Sequence, residues 1–208
     1  MLQIKTIEPR TLSLLRKLME IPELDKFCLV GGTALALKHG HRTSIDLDLF
    51  ATEKFDNNLI INALNSVFKE NIFIQKNINI GIFCQIYGIK VDIIYYPHPL
   101  VAEIEIIENI RFYNDKDIAA MKIQAILGRA EKKDFWDLYE LLKQFNVSQI
   151  IEYHKLKFSN QFLAITIPQA ITYFEDAEIS PDPKSFKSQT WEKIKAGINK
   201  KVREFIFQ

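Results

Sequence analysis

Disulfide chemistry, membrane crossing and an excess of charge of either sign are what this sequence has little of. Cysteine occurs twice in 208 residues, at Cys28 and Cys84. Two thiols exclude a disulfide scaffold, and a zinc centre needs further ligands at suitable spacing. Both lie in apolar, strand-like runs and read as buried free thiols, which points to a reducing compartment. No apolar run approaches the ~20 residues that cross a bilayer. The N-terminal MLQIKTIEPR lacks the continuous apolar stretch of a secretory signal. The expectation is a cytoplasmic protein with no membrane partner. The 27 Lys and Arg face 26 Asp and Glu, for a net charge of +1. A nucleic-acid partner would therefore need a local basic patch.

Core material is plentiful. Hydrophobic residues make up 48% of the chain and include 15 Phe and 7 Tyr, the balance of a soluble globular protein of one generous domain or two small ones. Residues 11–20 read as a short amphipathic helix closed by Pro22. FCLVGG reads as a buried strand ending in two glycines, followed by a helix for which Gly40 is the expected C-cap. SIDLDLF (44–50) alternates, with Ile45, Leu47 and Leu49 on one face of a strand and Asp46 and Asp48 on the other. A helix over 56–69 is expected, with Asp56 as its cap. Strand-like segments NIFIQKN, INIGIFCQIYG and IKVDIIYYP follow, Gly88 marking the last turn, then a short strand at IRFYN. From Asp115 the pattern is helical: two helices broken near Gly128 to Lys132, then 148–157, 160–174 and a basic amphipathic helix over 188–206. This divides the chain into an α/β core (1–112) and a helical lobe (113–208), with a cleft between them as the natural place for chemistry.

Two aspartates on one strand face stand about 6.5–7 Å apart. Like charges so placed repel, and a divalent cation relieves the conflict. Mg²⁺, with Mn²⁺ as the alternative, takes one or two carboxylates plus phosphates and water. Asp92, within the apolar run VDIIYY, is a candidate third ligand; the other reading leaves it facing solvent. Gly31 and Gly32 fall between a strand and a helix, where a phosphate approaches backbone amides and the helix dipole, and Thr33 either caps that helix or bonds the phosphate. Arg42 and Ser44 are candidate phosphate contacts, or else they shape the loop. Lys122, Arg129 and Lys133 share one helical face if the helix is unbroken, which would suit polyphosphate. Asp134 has three readings: helix cap, orienter of Lys122, or general base. Lys184, Lys187, Lys193, Lys195, Lys200, Lys201 and Arg203 make the C-terminus basic, for RNA, for a protein partner or for solubility.

The run GGTALALKHGHRTSIDLDLF (31–50) resembles the first motif of the AbiEii/AbiGii toxin family of nucleotidyltransferases, within the DNA-polymerase-β-like superfamily. KIQAILGRAEKKDFWDLYEL (122–141) resembles that family's later helical motif, and IPQAITYFEDAE…PDP…WEKIK its C-terminal region. The resemblance implies an α+β fold: a nucleotidyltransferase-like mixed β-sheet with flanking helices, then a C-terminal helical lobe. It implies transfer of an NMP from an NTP, with Mg²⁺, to an acceptor for which the tRNA 3′ end is one candidate, in a toxin paired with an antitoxin. Gly31, Gly32 and Thr33 would hold triphosphate, Asp46 and Asp48 metal, and Lys122 and Asp134 would match the helical motif. Two alternatives stay open: a protein side chain as acceptor, or a nucleotide- or antitoxin-binding module without transfer.

Overall fold

A computed structural model describes residues 1–207. Seven strands form one mixed sheet in the order β3-β4-β5-β2-β1-β7-β6. They are β1 (Cys28–Leu29), β2 (Leu47–Ala51), β3 (Ile72–Ile78), β4 (Gly81–Ile86), β5 (Ile89–Tyr95), β6 (Glu105–Ile107) and β7 (Ile110–Phe112). β2 runs parallel to β5 and β1 to β7; the other neighbours are antiparallel. The central strands are short and apolar because both faces are covered. The edge strand β3 is mostly exposed and alternates more weakly.

Among the described residues eight α-helices accompany the sheet: α1 (Pro9–Met19), α2 (Gly31–His39), α3 (Asn57–Phe68), α4 (Asp115–Gly128), α5 (Lys132–Leu141), α6 (Val147–Lys157), α7 (Ile167–Thr172) and α8 (Trp191–Ile206). Local chemistry explains several of their ends. Asp56 caps α3 by accepting from the Asn58 amide at 2.8 Å, and Gly40 closes α2 in the left-handed conformation, both as the sequence suggests. α4 ends at Gly128 and α5 begins at Lys132, so the expected break is present. α1 packs on β7, α3 on β3 and β4, and α2 on α4 and α5. One apolar cluster runs from Leu12 through Leu49 and Ile93 to Trp136 and Ile198, so strands and helices share a core. Cys28 and Cys84 are buried free thiols within it.

Three expectations need correction. β2 begins at Leu47, so Asp46 and Ile45 precede the strand, and Ile45 is exposed rather than on the buried face. The helix expected over 160–174 shrinks to α7, because Pro168 and a Thr166–Gln169 capping box set its start late. β6 was not foreseen. His154 of α6 is buried beside Phe158. Among the described residues no helix is long and apolar enough to cross a membrane.

A fully buried ion pair holds the sheet-to-helix junction. Lys157 of α6 donates to Asp117 of α4 at 2.7 Å and to the Pro99 carbonyl at 3.0 Å. Asp117 also accepts the Val101 and Ala102 amides at 2.9 and 3.1 Å. Removing one partner of such a pair leaves a charge without compensation. Asp117→Ala should therefore cost about 3–5 kcal/mol, read by urea unfolding; a loss under ~1 kcal/mol would show the pair to be dispensable.

Candidate active site

The strand order brings the carboxylates together. β2 and β5 lie side by side in register, and Asp48 stands directly opposite Asp92. Asp46 sits one residue before β2, and its carbonyl accepts from the Thr33 hydroxyl, whose oxygen in turn accepts from the Ser44 hydroxyl at 2.8 Å. Thr33 is buried and absent from the pocket lining. It is placed to fix the Asp46 loop, not to meet a phosphate. On the other flank, β1 delivers Gly31 and Gly32. Gly31 has φ +70°, and a Cβ there would lie 2.9 Å from the Asp48 carboxylate; a Cβ on Gly32 would run into the Arg42 guanidinium. These glycines let backbone, carboxylate and guanidinium meet at the start of α2.

The three carboxylates and both glycines line one pocket of about 480 Å³ with Arg42, Ser44, Lys122, Arg129 and Lys133. Every sequence-derived candidate is there except Thr33 and Asp134. Phe50, Lys90 and Met121 line it too and were not anticipated.

Beneath the cationic wall lies a buried network. Asp137 accepts Arg42 Nε and Nη2 at 2.6 and 2.7 Å, His41 Nε2 at 2.7 Å and Lys122 Nζ at 2.6 Å. Asp134 accepts Lys122 at 2.9 Å and both Arg129 Nε and Nη2 at 2.9 and 3.0 Å. Burial alone would raise both carboxyls, but the cations hold Asp134 below, and Asp137 well below, the ordinary carboxylate range. Burial likewise works against the Lys122 ammonium, and Asp137 and Asp134 outweigh it. His41 is buried and its pKa lowered by burial, so it enters as a neutral loop-shaping imidazole. Asp134 neither caps α5, whose N-cap is Glu131, nor faces the pocket. Of its three readings, the orienter of Lys122 is the one its contacts match. Lys122, Arg129 and Lys133 do not share a helix face, because Arg129 and Ala130 break the helix. That break turns Arg129 back onto Asp134. Lys133 pairs with Glu131 at 2.7 Å.

The carboxylate wall is under-compensated. Asp48 is pushed up to about 6, first by burial and then by the facing charge of Asp92. Asp92 keeps Lys90 at 2.7 Å on one oxygen, while its other oxygen is buried without a partner. Among the described residues no three Asp, Glu, His or Cys side chains stand in metal-holding geometry. The triad expected of Asp46, Asp48 and Asp92 is thus not a preformed cage. An open carboxylate corner still fits an ion such as Mg²⁺, which needs one or two carboxylates and takes its other ligands from phosphate and water.

In the basic C-terminus Lys187 pairs with Glu140, Lys195 with Glu178 and Glu192, and Lys200 and Lys201 share Glu204.

A mixed sheet carrying a glycine turn, an Asp-x-Asp strand entry and a third aspartate on the neighbouring parallel strand defines a nucleotidyltransferase. The comparisons carry this to the family. Residues 13–81 and 86–204 match the family described as nucleotidyl transferase AbiEii toxin, type IV TA system, and the chain belongs to that family. An uncharacterized protein of Aquifex aeolicus (strain VF5) is 31% identical over 200 residues, covering 92% of this chain and 94% of that one. In fold the chain is similar to JHP933 from Helicobacter pylori (TM-score 0.61, 21% identity, 95% and 92% of the two chains). It is also similar to MenT4, a nucleotidyltransferase toxin from Mycobacterium tuberculosis H37Rv (TM-score 0.61, 12% identity, 91% and 82%).

The raised Asp48 pKa has a defined sign. A carboxyl whose folded pKa exceeds its unfolded value weakens the fold where it is ionised, so its cost is present above about pH 6 and disappears towards pH 4. In EDTA, the wild type should gain stability relative to Asp48→Asn as pH falls from 7 to 5. Parallel urea-denaturation profiles for the two proteins would contradict this.

Proposed function

We propose that the protein transfers an NMP from an NTP·Mg²⁺ complex to an acceptor hydroxyl, with the 3′ end of tRNA as the leading acceptor. The observation that carries this reading is the meeting in one pocket of the carboxylates Asp46, Asp48 and Asp92 with the cations Arg42, Lys122, Arg129 and Lys133. A triphosphate with its metal has that same division of charge.

The start of α2 at Gly31 and Gly32 offers backbone amides and a favourable dipole to the β- and γ-phosphates. Arg42 and Arg129, each held by a buried aspartate, keep a guanidinium at the pocket without reorganisation during reaction. Lys122 braces both aspartates and contributes positive charge at the pocket floor. Asp46 and Asp48 would hold Mg²⁺ (or Mn²⁺), which supplies charge neutralisation at the reacting phosphate. Asp92 would take the proton of the acceptor hydroxyl as that hydroxyl's oxygen bonds the α-phosphorus and pyrophosphate leaves. Membership in a family of a type IV toxin–antitoxin system supports a toxin role and a cognate antitoxin. The cytoplasm is the compartment where NTP, tRNA and two free thiols fit together.

The test is incubation with each α-labelled NTP, Mg²⁺, total tRNA and a protein fraction. Label should enter RNA from one or more NTPs, and Asp46→Ala should reduce it by at least ~100-fold. Undiminished transfer by that variant would remove the assignment of the site. Label in protein would move the acceptor to a side chain. Tight NTP binding without transfer to either fraction would favour a binding module.

A further inference from the structure

A second hollow of about 620 Å³ lies over the Lys157–Pro99 contact and is lined by residues 96–99 and 157–161 with Gln124 of α4. Tyr96, His98 and Phe158 form its aromatic floor, and Gln124, Asn160 and Gln161 bring amide groups to it. It connects to the reaction centre in two ways. Phe50 lines the active-site pocket, and its ring packs on Tyr96 at 5.0 Å between centroids. Along α4, Met121, Lys122 and Ala125 line the active site, while Gln124, on the neighbouring flank and 3.3 Å from His154 Nε2, lines the hollow. From Phe50 the rings continue as an edge-to-face ladder: Tyr96 to His98 at 4.5 Å, and His98 to Phe158 at 4.8 Å, each pair 62° between planes.

The sheet order gives this ladder a direction. Gly31 and Gly32 follow β1, on one side of Asp48. Asp92 lies on β5, on the other side. In an in-line displacement the leaving pyrophosphate and the attacking hydroxyl depart from and approach opposite faces of phosphorus. Pyrophosphate leaves towards the glycine turn, so the acceptor enters from the β5 flank. The ladder begins where β5 ends, Tyr95 being its last residue and Tyr96 bonding to the Ala51 carbonyl at 2.8 Å.

We propose that the Tyr96–His98–Phe158 hollow receives an unpaired base at the end of a single-stranded nucleic-acid acceptor. Aromatic rings with amide groups beside them are how proteins hold unpaired bases. Burial pulls the His98 pKa down, so the ring is a neutral stacking surface. Lys157 beneath the hollow is consumed by Asp117 and the Pro99 carbonyl, so the hollow presents faces and amides instead of a phosphate site. The inference rests on the transfer reading, because that reading places the reacting phosphorus at Asp48.

The test measures binding apart from transfer. A 5′-fluorescein single-stranded RNA 12-mer of mixed sequence is titrated by anisotropy, and a fluorescent ATP analogue is titrated separately. His98→Ala should weaken RNA binding by about 5- to 100-fold and leave the ATP analogue within about twofold. His98→Phe, which keeps a ring, should restore RNA binding. Gln124→Ala and Gln161→Ala, near the rim, should weaken RNA alone and guard against a folding defect in the His98 variant. RNA affinity unchanged in all three alanine variants would overturn the proposal, as would parallel loss of the ATP analogue or wild-type label found only in protein. Unchanged RNA affinity with continued Asp46-dependent transfer would reject the hollow and keep the transfer reading. His98-dependent RNA binding with no transfer would do the reverse.

Discussion

The carboxylate of Asp137 is the interaction on which the site depends. It sits on α5, fully buried, and gathers Arg42 from the turn before β2, Lys122 from α4 and His41 from the end of α2. Four elements meet at one pair of oxygens. Burial opposes an ionised carboxylate there, and it stays ionised because two cations within 2.7 Å outweigh that cost. Asp134 repeats the device one helical turn away, with Lys122 and Arg129. Three cations thus share two carboxylates. The arrangement fixes long side chains that would otherwise lose rotamer freedom on meeting a ligand, and it leaves one positive charge in excess to face the pocket.

The carboxylate wall uses the same physics with the sign reversed. Asp48 and Asp92 stand in register on parallel strands, and only Lys90 answers them directly. The result is a carboxyl raised to about 6 and a buried oxygen without a partner. A fold shaped only for stability would pair or remove those groups. A pocket that holds both surplus positive and surplus negative charge is costly when empty. It is complementary to a ligand that carries phosphates and a cation together.

What the sequence revealed depended on range. The Gly-Gly turn, the Asp-x-Asp entry, the Asp56 cap and the Gly40 C-cap are local patterns, each with a mechanism spanning a few residues. Asp92 was legible because an aspartate amid Val91 and Ile93 breaks an apolar run. Asp137 was visible only as a neighbour of Asp134, since its partners lie 95 and 96 positions away. The shared face of Lys122, Arg129 and Lys133 required an unbroken helix; the break expected near Gly128 is there, and the turn at Arg129 and Ala130 brings Arg129 together with Lys122 on Asp134. Thr33 belonged to the right motif with a structural task in place of a ligand-binding one. β6 escaped because three residues on an edge carry no periodicity.

Charge also limits how an acceptor can be recognised. The protein has a net charge of +1, and Lys187, Lys195 and Lys201 of its basic C-terminal stretch answer nearby glutamates. A protein that held RNA mainly through phosphates would need a free cationic face, since that contact sets affinity through counterion release. In the hollow itself the lining lysine, Lys157, is spent on Asp117 and the Pro99 carbonyl. Recognition of the proposed acceptor then falls to groups that work without charge: the faces of Tyr96, His98 and Phe158, and the amides beside them. Such a surface has little hold on a paired duplex, whose bases present no free faces. It has most to offer an unstacked end, where the hydroxyl that attacks the α-phosphate belongs to the same terminal nucleotide as the stacked base.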